Sequence, residues 1–412
     1  MNRKNAKPRA KTVLSVTVLA LLITGSLLHA GPLTPPAGPV TSTYKTLTEV
    51  EPRTAINAAN TPGDADSTFR IAQPGSFYLT ANMTGEAAKK GIEIAISGGQ
   101  QVTIDLNGFT MTGTGATSAF PAIYIDGVSA HVRVYNGAIR SWRTAIQHFL
   151  GGSITVEDVH AYLSTAIQFD LRNATCVRCF ADDGSNAGFF IDGGTLTDCI
   201  ARSNAGAGFT ISSSATIVRG CSAIANSGGG FNLGQGIAEN CRADSNTGNG
   251  FTNPGTMTNC TSLSNTGDGI SISSVGVVRG CNITSNGGDG IQVASGSRIE
   301  GNSICNNGLH GVNITGSRTT ACNNTISSNG RATGVFAGVF CSGNDNSIDN
   351  NHITNMLLAG DDFGVQVTGS SNLIVRNQLS AVSTYVSILA GNTSGGSSTT
   401  PITAGAWANI TY

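Results

Sequence analysis

The repeat that decides the fold reads CSAIANSGGGFNLGQGIAEN (221–240), CRADSNTGNGFTNPGTMTN (241–259) and CTSLSNTGDGISISSVGVVRG (260–280). Each segment begins with Cys and has Asn five residues later. It then has Gly-Phe or Gly-Ile, whose apolar residue falls ten positions after the Cys. Segments of about 20 residues that repeat one pattern are typical of a chain that stacks on copies of itself.

The pattern continues on both sides of this stretch, with Asn in place of Cys further along the chain. The first residues of the repeats are Asn136, Asp158, Cys179, Cys199, Cys221, Cys241, Cys260, Cys281, Asn302, Asn324, Asn351 and Asn377. Their spacings are 22, 21, 20, 22, 20, 19, 21, 21, 22, 27 and 26 residues. Between them, short segments with Val, Ile and Phe alternate with Gly, Asn and Ser corners, which favours strands over helices. We predict an all-β fold, a right-handed single-stranded parallel β-helix (solenoid) of about 12 coils with N- and C-terminal caps.

The chain is predicted to have four parts. Residues 1–30 have the pattern of a signal peptide, since basic residues precede an apolar run and a small-residue cleavage site, and an uncleaved anchor is the alternative. Residues 31–64 are expected to form a Pro-rich spacer and an N-terminal cap with a helix near 46–59. Residues 65–390 are expected to form the β-helix, and 391–412 a linker and a C-terminal capping segment. Such a chain would be secreted, periplasmic or located at the cell surface.

Composition narrows the classes of function. Charged residues make up 11% of the chain, the formal net charge is −1, and 54 of the 412 residues are Gly. Solubility must therefore come mainly from Ser, Thr and Asn, which also suits closely spaced turns. A chain without a basic stripe is not expected to bind nucleic acid. No metal site is predicted from its motifs.

The ten Cys residues divide into two groups. The six that begin repeats are expected to form a buried column of free thiols. Identical side chains one coil apart run parallel and are poorly aimed for a disulfide, although bridges remain the alternative. Cys176, Cys305, Cys322 and Cys341 lie off this column and could pair locally, so their redox state stays open. The Asn residues five positions later, from Asn204 to Asn329, are expected to form a hydrogen-bonded ladder.

One corner of the repeat departs from the uniform pattern. The residue before the recurrent Gly changes from Asn249 to Asp268, Asp289 and His310, and two long repeats place their extra residues, near 331–337 and 356–363, at this corner. Insertions on one face of a repeat protein often mark its binding face. The Asn and Asp residues at this corner also have a purely structural interpretation, because Asp and Asn before Gly are common turn formers.

The candidate residues at this corner combine carboxylates, an imidazole, a guanidinium and aromatic rings. The catalytic candidates are His310, Asp289, Arg331, Asp361 and Asp362, and the candidates for substrate binding are Phe336 and Phe363. Such side chains suit acid–base chemistry on a polysaccharide, or retention of a cation that neutralises a uronate.

Two further segments carry a resemblance to a known family. They read QPGSFYLT (73–80) and VTIDLNGF (102–109). Together with the coil period, they resemble secreted bacterial right-handed parallel β-helix proteins of the pectate-lyase-like superfamily, over about residues 65–412. The resemblance implies the fold, and it implies relatives that are either enzymes acting on acidic polysaccharides or adhesins and fibres. Enzyme motifs of the superfamily are mostly missing: Leu309-His310-Gly311 matches Gly-His-Gly only in part, no Lys follows Lys90, and Asp-Pro does not occur.

Two functions of different classes follow. The first is a secreted or cell-surface scaffold that binds polysaccharide or other surface polymers without catalysis and without a cofactor. The second is a lyase or hydrolase of uronate-containing glycans, which would need Ca²⁺ if it were a lyase. Whether the protein is an enzyme therefore stays open at this stage. A third interpretation, copper handling by the cysteine column, requires accessible thiols.

Overall fold

The structure is a computed structural model. It describes residues 52–127, 129–149, 151–354, 362–400 and 404–412. The predicted signal peptide and residues 31–51 of the predicted spacer lie outside the described residues. From Arg53 to Tyr412 the chain forms one compact unit. In this unit, residues one repeat apart pair as neighbouring parallel strands, as the period predicts.

Each coil passes through three parallel sheets, named here A, B and C in chain order. The strands of sheet A are Ser67–Ile71, Lys90–Ile94, Ile123–Ile125, Ile146–His148, the first halves of Phe169–Val177 and Phe189–Thr197, Phe209–Ile211, Phe231–Asn232, Phe251–Thr252, Ile270–Ile272, Ile291–Val293, Val312–Ile314, Ala337–Cys341, Phe363–Val367 and Thr384–Ile388. The strands of sheet B are Thr54–Ile56, Gly75–Leu79, Gln101–Asp105, the first halves of Ala130–Arg140 and Gly152–Tyr162, the second halves of Phe169–Val177 and Phe189–Thr197, Ile217–Arg219, Ile237–Glu239, Thr256–Thr258, Val277–Arg279, Arg298–Glu300, Thr320–Cys322, Ser347–Asp349, Leu373–Val375 and Thr393–Ser394.

Sheet C closes each coil. Its strands are Met83–Thr84, Thr110–Thr112, the second halves of Ala130–Arg140 and Gly152–Tyr162, Phe180–Asp182, Ile200–Arg202, Ser222–Ile224, Arg242–Asp244, Thr261–Leu263, Asn282–Thr284, Ser303–Cys305, Thr325–Ser327, His352–Thr354, Gln378–Ser380, Asn409–Thr411 and Ser397–Ser398. The strand Asn409–Thr411 lies between Gln378–Ser380 and Ser397–Ser398, so the end of the chain is built into the sheet.

Two expectations about the start of the stack are corrected. Among the described residues, sheet A contains 15 strands, so the solenoid has about 15 turns rather than 12, because the first coils lack the Cys/Asn pattern. The helix expected near 46–59 does not form in its described part, where Thr54–Ile56 is a strand that pairs with Phe77–Leu79. Gly115–Thr117, a single 3₁₀ turn, is the helical element of the described residues.

The corners of the coil explain the bias toward Gly, Asn and Ser. The chain turns from sheet B to sheet C through one residue with positive φ, such as Gly220 (62°) or Asn240 (55°). It leaves sheet C through a second such residue, such as Ser203 (54°) or Ser245 (57°). Gly and Asn tolerate this left-handed conformation better than most residues, so the composition follows from two such corners in each coil.

The interior of sheet A changes along the stack. Five fully buried rings stack face to face with centroids 4.7–4.8 Å apart and planes within 9° of parallel: Phe169, Phe189, Phe209, Phe231 and Phe251. From Ile270 onward the same inward position is aliphatic, and it continues through Ile291 and Val312. The rings are held in contact because consecutive strands of the sheet are about 4.8 Å apart.

The predicted columns at the corners are present. The six repeat-initial thiols are buried and form no disulfide. The same holds for Cys176 and Cys341, and Cys305 is half-buried and also free of a disulfide. In the Asn ladder, Asn226 donates Nδ2–H to the carbonyl of Ala201 at 3.1 Å and to Oδ1 of Asn246 at 2.9 Å. Where Asn replaces Cys, a second ladder runs from Asn302 to Asn409.

Ion pairs also form between neighbouring coils. Arg219 lies 2.7 Å from Glu239, and Arg279 lies 2.8 Å from Glu300, on the outer face of sheet B. Exposed pairs of this kind contribute little to stability, so they are not a main source of the stability of the solenoid.

Candidate functional site

The insertion corner brings His310 and Asp289 together through the main chain. From Asn249 to His310, the side chain of the residue before the recurrent Gly accepts a hydrogen bond from the N–H group of the corresponding residue one coil later. Oδ1 of Asp289 accepts from the N–H of His310 at 2.9 Å, and Nδ1 of His310 accepts from the N–H of Ala337 at 3.0 Å. The turn-forming role that the sequence offered for these residues is therefore visible in their contacts.

Burial shifts the pKa values of the titratable residues that precede the recurrent Gly. It raises the pKa of Asp268 to about 6 and also raises the pKa of Asp289, because a low-dielectric site disfavours the carboxylate. Burial also lowers the pKa of His310 to about 4, because the same environment disfavours the imidazolium. His310 is therefore neutral at pH 7, and since Nδ1 is an acceptor, its proton lies on Nε2.

Two Phe residues surround the His310 ring. Phe340 stacks on it at 4.8 Å between centroids, and Phe336 meets it edge-on at 5.4 Å. The buried carboxylate of Asp362 accepts a hydrogen bond from the N–H of Phe336 at 3.1 Å, and the N–H of Phe363 donates to the carbonyl of Phe336 at 2.9 Å. Five of the candidates, His310, Asp289, Asp362, Phe336 and Phe363, thus occupy one connected cluster.

Two further candidates are placed differently. The exposed side chain of Arg331 has its hydrogen bond with the carbonyl of Asn306, at 3.5 Å, rather than with a carboxylate of the cluster. Asp361 lies outside the described residues. The roles suggested for these residues in acid–base chemistry stay predictions.

The corner borders a row of outward side chains on sheet A that sequence reasoning did not single out. Each strand of this part of the sheet presents one such side chain between two inward ones. The row consists of Thr210, Asn232, Thr252, Ser271, Gln292, Asn313, Phe340, Gln366 and Ser387. No member is charged, which distinguishes this stretch from the start of the same sheet, where Arg70 pairs in register with Glu93. The signal was available in the sequence as the middle residue of each Gly-apolar-x-apolar segment.

Asn313 links the row to the corner. Its Nδ2 group donates to Oδ2 of Asp289 at 2.7 Å, so both carboxylate oxygens of Asp289 are engaged. The Oδ1 atom of Asn313 is buried and has no hydrogen-bond partner. A buried acceptor without a donor costs free energy.

A second concentration of chemical groups lies on the outer face of sheet C, where the sequence analysis predicted none. Nε2 of His160 lies 3.0 Å from Oδ2 of Asp182, and Nη2 of Arg202 lies 2.9 Å from the same oxygen. These residues line a pocket of about 560 Å³ together with Phe180 and Arg178. Aligning the sequence on the coil period would have revealed it, because its members occupy outward positions on three successive coils.

Other titratable residues in the described part of the chain have a structural role rather than a catalytic or binding one. Ligand atoms of Asp64, Asp66 and Glu93 lie within 4.8 Å of one another. However, Lys90 already lies 2.9 Å from Asp66 and 2.6 Å from Glu93, and Arg70 lies 3.4 Å from Asp64, so each of the three carboxylates already pairs with a cation of the chain. His148, at the end of a sheet A strand, is fully buried.

The thiol column does not meet the requirement of copper handling. Its six members, from Cys179 to Cys281, are at most 2% exposed, so they are not accessible to a metal ion in the folded stack. Within the described residues, no helix has the length and the apolar character that crossing a membrane requires.

Comparison with known proteins gives a family match and several structural similarities. The family described as the right handed beta helix region matches residues 192–298 and 273–399, which together cover half of the chain. No curated protein matches the sequence. The A-module of mannuronan C-5 epimerase AlgE4 from Azotobacter vinelandii is similar in structure, with 16% identity, 78% of this chain and 91% of that chain covered, and a TM-score of 0.41.

Two other solved structures show weaker similarity. Tailspike protein 3 of bacteriophage CBA120 is 12% identical, with 93% of this chain and 67% of that chain covered and a TM-score of 0.37. Pectate lyase Pel9A is 15% identical, with 80% of each chain covered and a TM-score of 0.26.

Proposed function

We propose, from the premise that the chain belongs to the right-handed β-helix family, that this protein binds a polysaccharide along the outer face of sheet A. The observation that carries the proposal is the uncharged row that begins at Thr210 and includes Asn313 and Phe340. Hydroxyl and amide groups offer both donors and acceptors, which is what the hydroxyl groups of a sugar polymer require.

The dimensions of the row suit a polymer rather than a small molecule. The eight rungs from Thr210 to Gln366 span about 34 Å at the usual separation of neighbouring strands. The rigid frame fixes these side chains in one line before any ligand arrives, which reduces the ordering cost of binding. A linear ligand with repeated hydroxyl groups can therefore contact successive rungs without rearrangement of the protein.

The chemistry of the row favours an uncharged polymer. No Lys or Arg belongs to the row between Thr210 and Ser387, so a polyuronate would find no guanidinium or ammonium partner there. Asn313 has an unpaired buried acceptor, and Phe340 presents a ring beside it on the next coil. The ring of Phe340 favours the apolar face of a sugar ring.

Binding without catalysis is favoured over the alternative of a uronate lyase or hydrolase. Both oxygens of the Asp289 carboxylate and Nδ1 of His310 are occupied by hydrogen bonds within the protein. A general acid or base needs a free atom within reach of the proton that it transfers. The proposal requires no cofactor, and it places the protein where polysaccharides occur: secreted, periplasmic or at the cell surface.

A binding assay on immobilised polysaccharides tests this function. The purified protein is expected to be retained by at least one uncharged polymer, such as a glucan or mannan, and not by pectate or alginate. Asn313→Ala and Phe340→Ala should weaken retention, because they remove an amide and a ring from the row. Asn282→Ala is the matched control, since Asn282 is exposed on sheet C. Retention by no polymer, or equal retention of all variants, would refute the proposal.

A further inference from the structure

We propose that the pocket on sheet C is a second and independent sugar-binding site, which accepts one or two uncharged sugar rings on Phe180. The site lies on a different sheet from the row and shares no residue with it. Its volume of about 560 Å³ is enclosed by side chains from three successive coils. Pockets of about 300–1,000 Å³ are the usual size for small ligands, so the space suits the end of a glycan rather than a continuous chain.

The register of the strands builds the pocket. His160 lies opposite Phe180 on the next coil, and Asp182 lies opposite Arg202 on the coil after that. Residues two apart in one strand point to the same side of the sheet, so Phe180, which is exposed, and Asp182, which is buried, both lie on the outer side of sheet C. Arg178, at the corner before Phe180, forms a two-point ion pair with Asp158 at 2.7 Å for both contacts.

An exposed aromatic surface forms the floor. The ring of Phe180 is 40% exposed, in contrast to the five stacked rings beneath sheet A, which are buried. His160 packs on Phe180 edge-on at 5.8 Å and on Tyr162 at 4.9 Å, so three rings form one platform. The face of an aromatic ring is electron-rich and attracts the C–H groups on the apolar face of a sugar.

The rim of the pocket supplies the polar contacts. Oδ2 of Asp182 holds both His160 and Arg202, whereas Oδ1 of the same carboxylate has no hydrogen-bond partner although the residue is only 3% exposed. A charged oxygen left without a donor is costly when it is buried. Asp182 therefore acts by positioning His160 and Arg202 through Oδ2, while the outward atoms of Arg178 and Arg202 supply donors to the ring and hydroxyl oxygens of a sugar.

The balance of charge selects a neutral ligand. The lining contains Asp158, Asp182 and Asp198 against Arg178 and Arg202. Three carboxylates against two guanidinium groups give no positive excess, so a phosphate or a uronate gains no net attraction there.

The pattern is confined to these coils, which separates it from the structural ladders. The position of Phe180 is occupied by Ile200 and then Ser222 in the next two coils. The position of Asp182 is occupied by Arg202 and then Ile224. A feature required for stacking would recur at the coil period, as the Asn and Cys columns do. The grouping of rings, carboxylates and guanidinium groups therefore has no structural role that every coil shares.

Calorimetric titration of the full protein with a panel of disaccharides tests this site. The probes are cellobiose, maltose, mannobiose and lactose, with digalacturonate as the charged counterpart. At least one neutral disaccharide is expected to bind. Phe180→Ala and Asp182→Asn should each weaken that binding about tenfold, which corresponds to losing one good contact. Phe149→Ala is the matched control, because its ring is 36% exposed but lies outside the pocket, and it should change affinity less than twofold.

Three results would overturn the proposal: no neutral disaccharide binds, Phe180→Ala leaves binding unchanged, or digalacturonate binds more tightly than every neutral probe. Asn313→Ala, which alters the row on sheet A, should leave disaccharide affinity unchanged. If it abolishes disaccharide binding instead, the sugar lies on sheet A and the sheet C site is refuted. Circular dichroism of Asp182→Asn confirms that the stack is intact before its affinity is interpreted.

Discussion

The two halves of the solenoid have the same backbone path but differ in the side chains that fill its interior. The coils from Phe169 to Cys260 pack a stack of Phe rings beneath sheet A and a column of thiols at the corner between sheets B and C. From Ile270 onward the rings are replaced by Ile and Val, and from Asn302 to Asn409 the thiols are replaced by amides. One Asn ladder, Asn204 to Asn329, runs through both halves.

The difference shows which requirements of the coil are strict. The inward position under sheet A needs only an apolar side chain, so a column of rings can give way to a column of aliphatic groups. The corner between sheets B and C needs either an apolar side chain or a fully hydrogen-bonded one, because a buried polar group without partners is costly. Asn324 satisfies the second condition: its Nδ2 donates to Ile299 at 3.0 Å and to Asn351 at 2.9 Å.

The largest expected effect concerns the aromatic half. Phe209→Ala removes the middle ring of the stack and should destabilise the surrounding coils by about 3–5 kcal/mol, because the neighbouring rings cannot close the cavity. Ile291→Val, in the same column of the aliphatic half, should cost about 1 kcal/mol. Hydrogen exchange followed by mass spectrometry measures each loss locally, which matters because a stack of repeats does not unfold in a single step.

The contrast between rings and aliphatic groups has a direct counter-test. Phe209→Leu keeps an apolar side chain of similar size and should recover most of the protection around residues 189–251. If Phe209→Ala loses no more protection than Ile291→Val, the rings contribute no more than ordinary packing, and the halves do not differ in this respect.

The next effect compares amide with thiol at equivalent positions. Asn324→Ala leaves the carbonyl of Ile299 and the N–H of Asn302 without partners, so it should cost about 2–4 kcal/mol. Cys221→Ala removes one apolar atom and should cost about 1 kcal/mol. Urea unfolding of both variants, with hydrogen exchange to locate the weakened coils, measures the difference. Equal losses would mean that the ladder stabilises by packing alone.

The regular features of this molecule could be predicted because a fixed period turns sequence distance into vertical contact. The Cys column, the Asn204 ladder and the pair of Arg219 with Glu239 all follow from that rule. The number of coils was underestimated, since the first coils lack the motif and vary in length. The sheet C pocket was missed for a different reason: His160 and Asp182 belong to no motif, and they become neighbours only when separate coils are aligned.

The insertion corner marks the limit of sequence reasoning. That Asp289 and His310 lie on adjoining coils follows from the period. The contacts that occupy their polar atoms do not, because the bond from the N–H of Ala337 to His310 depends on the path of the inserted residues. The outward row of sheet A could be predicted in part. Its register follows from the period, but the absence of charge becomes noticeable only when the outward residues of the whole sheet are compared.

The smallest effect concerns pH, and it also separates the two halves. The residue before the recurrent Gly cannot titrate at Ala187 or Ala207, whereas Asp268 and His310 can. The pKa of Asp268 is raised to about 6, so its contribution to stability is complete below its ordinary pKa near 3.8 and is lost as pH rises through 6. The pKa of His310 is lowered to about 4, so its contribution is complete above its ordinary 6.5 and is lost as pH falls through 4.

Between pH 7 and pH 4 the two groups therefore oppose each other. Asp268→Asn should make the protein lose about 1–2 kcal/mol more than the wild type on acidification, and His310→Gln should make it lose about as much less, after allowance for solvent screening. Urea unfolding at pH 7, 5.5 and 4 measures the slopes, with hydrogen exchange around Ala207 as an internal reference that should not respond to either substitution. Parallel slopes for the wild type and both variants would show that the corner does not titrate as its burial requires, and the two halves would then respond alike to pH.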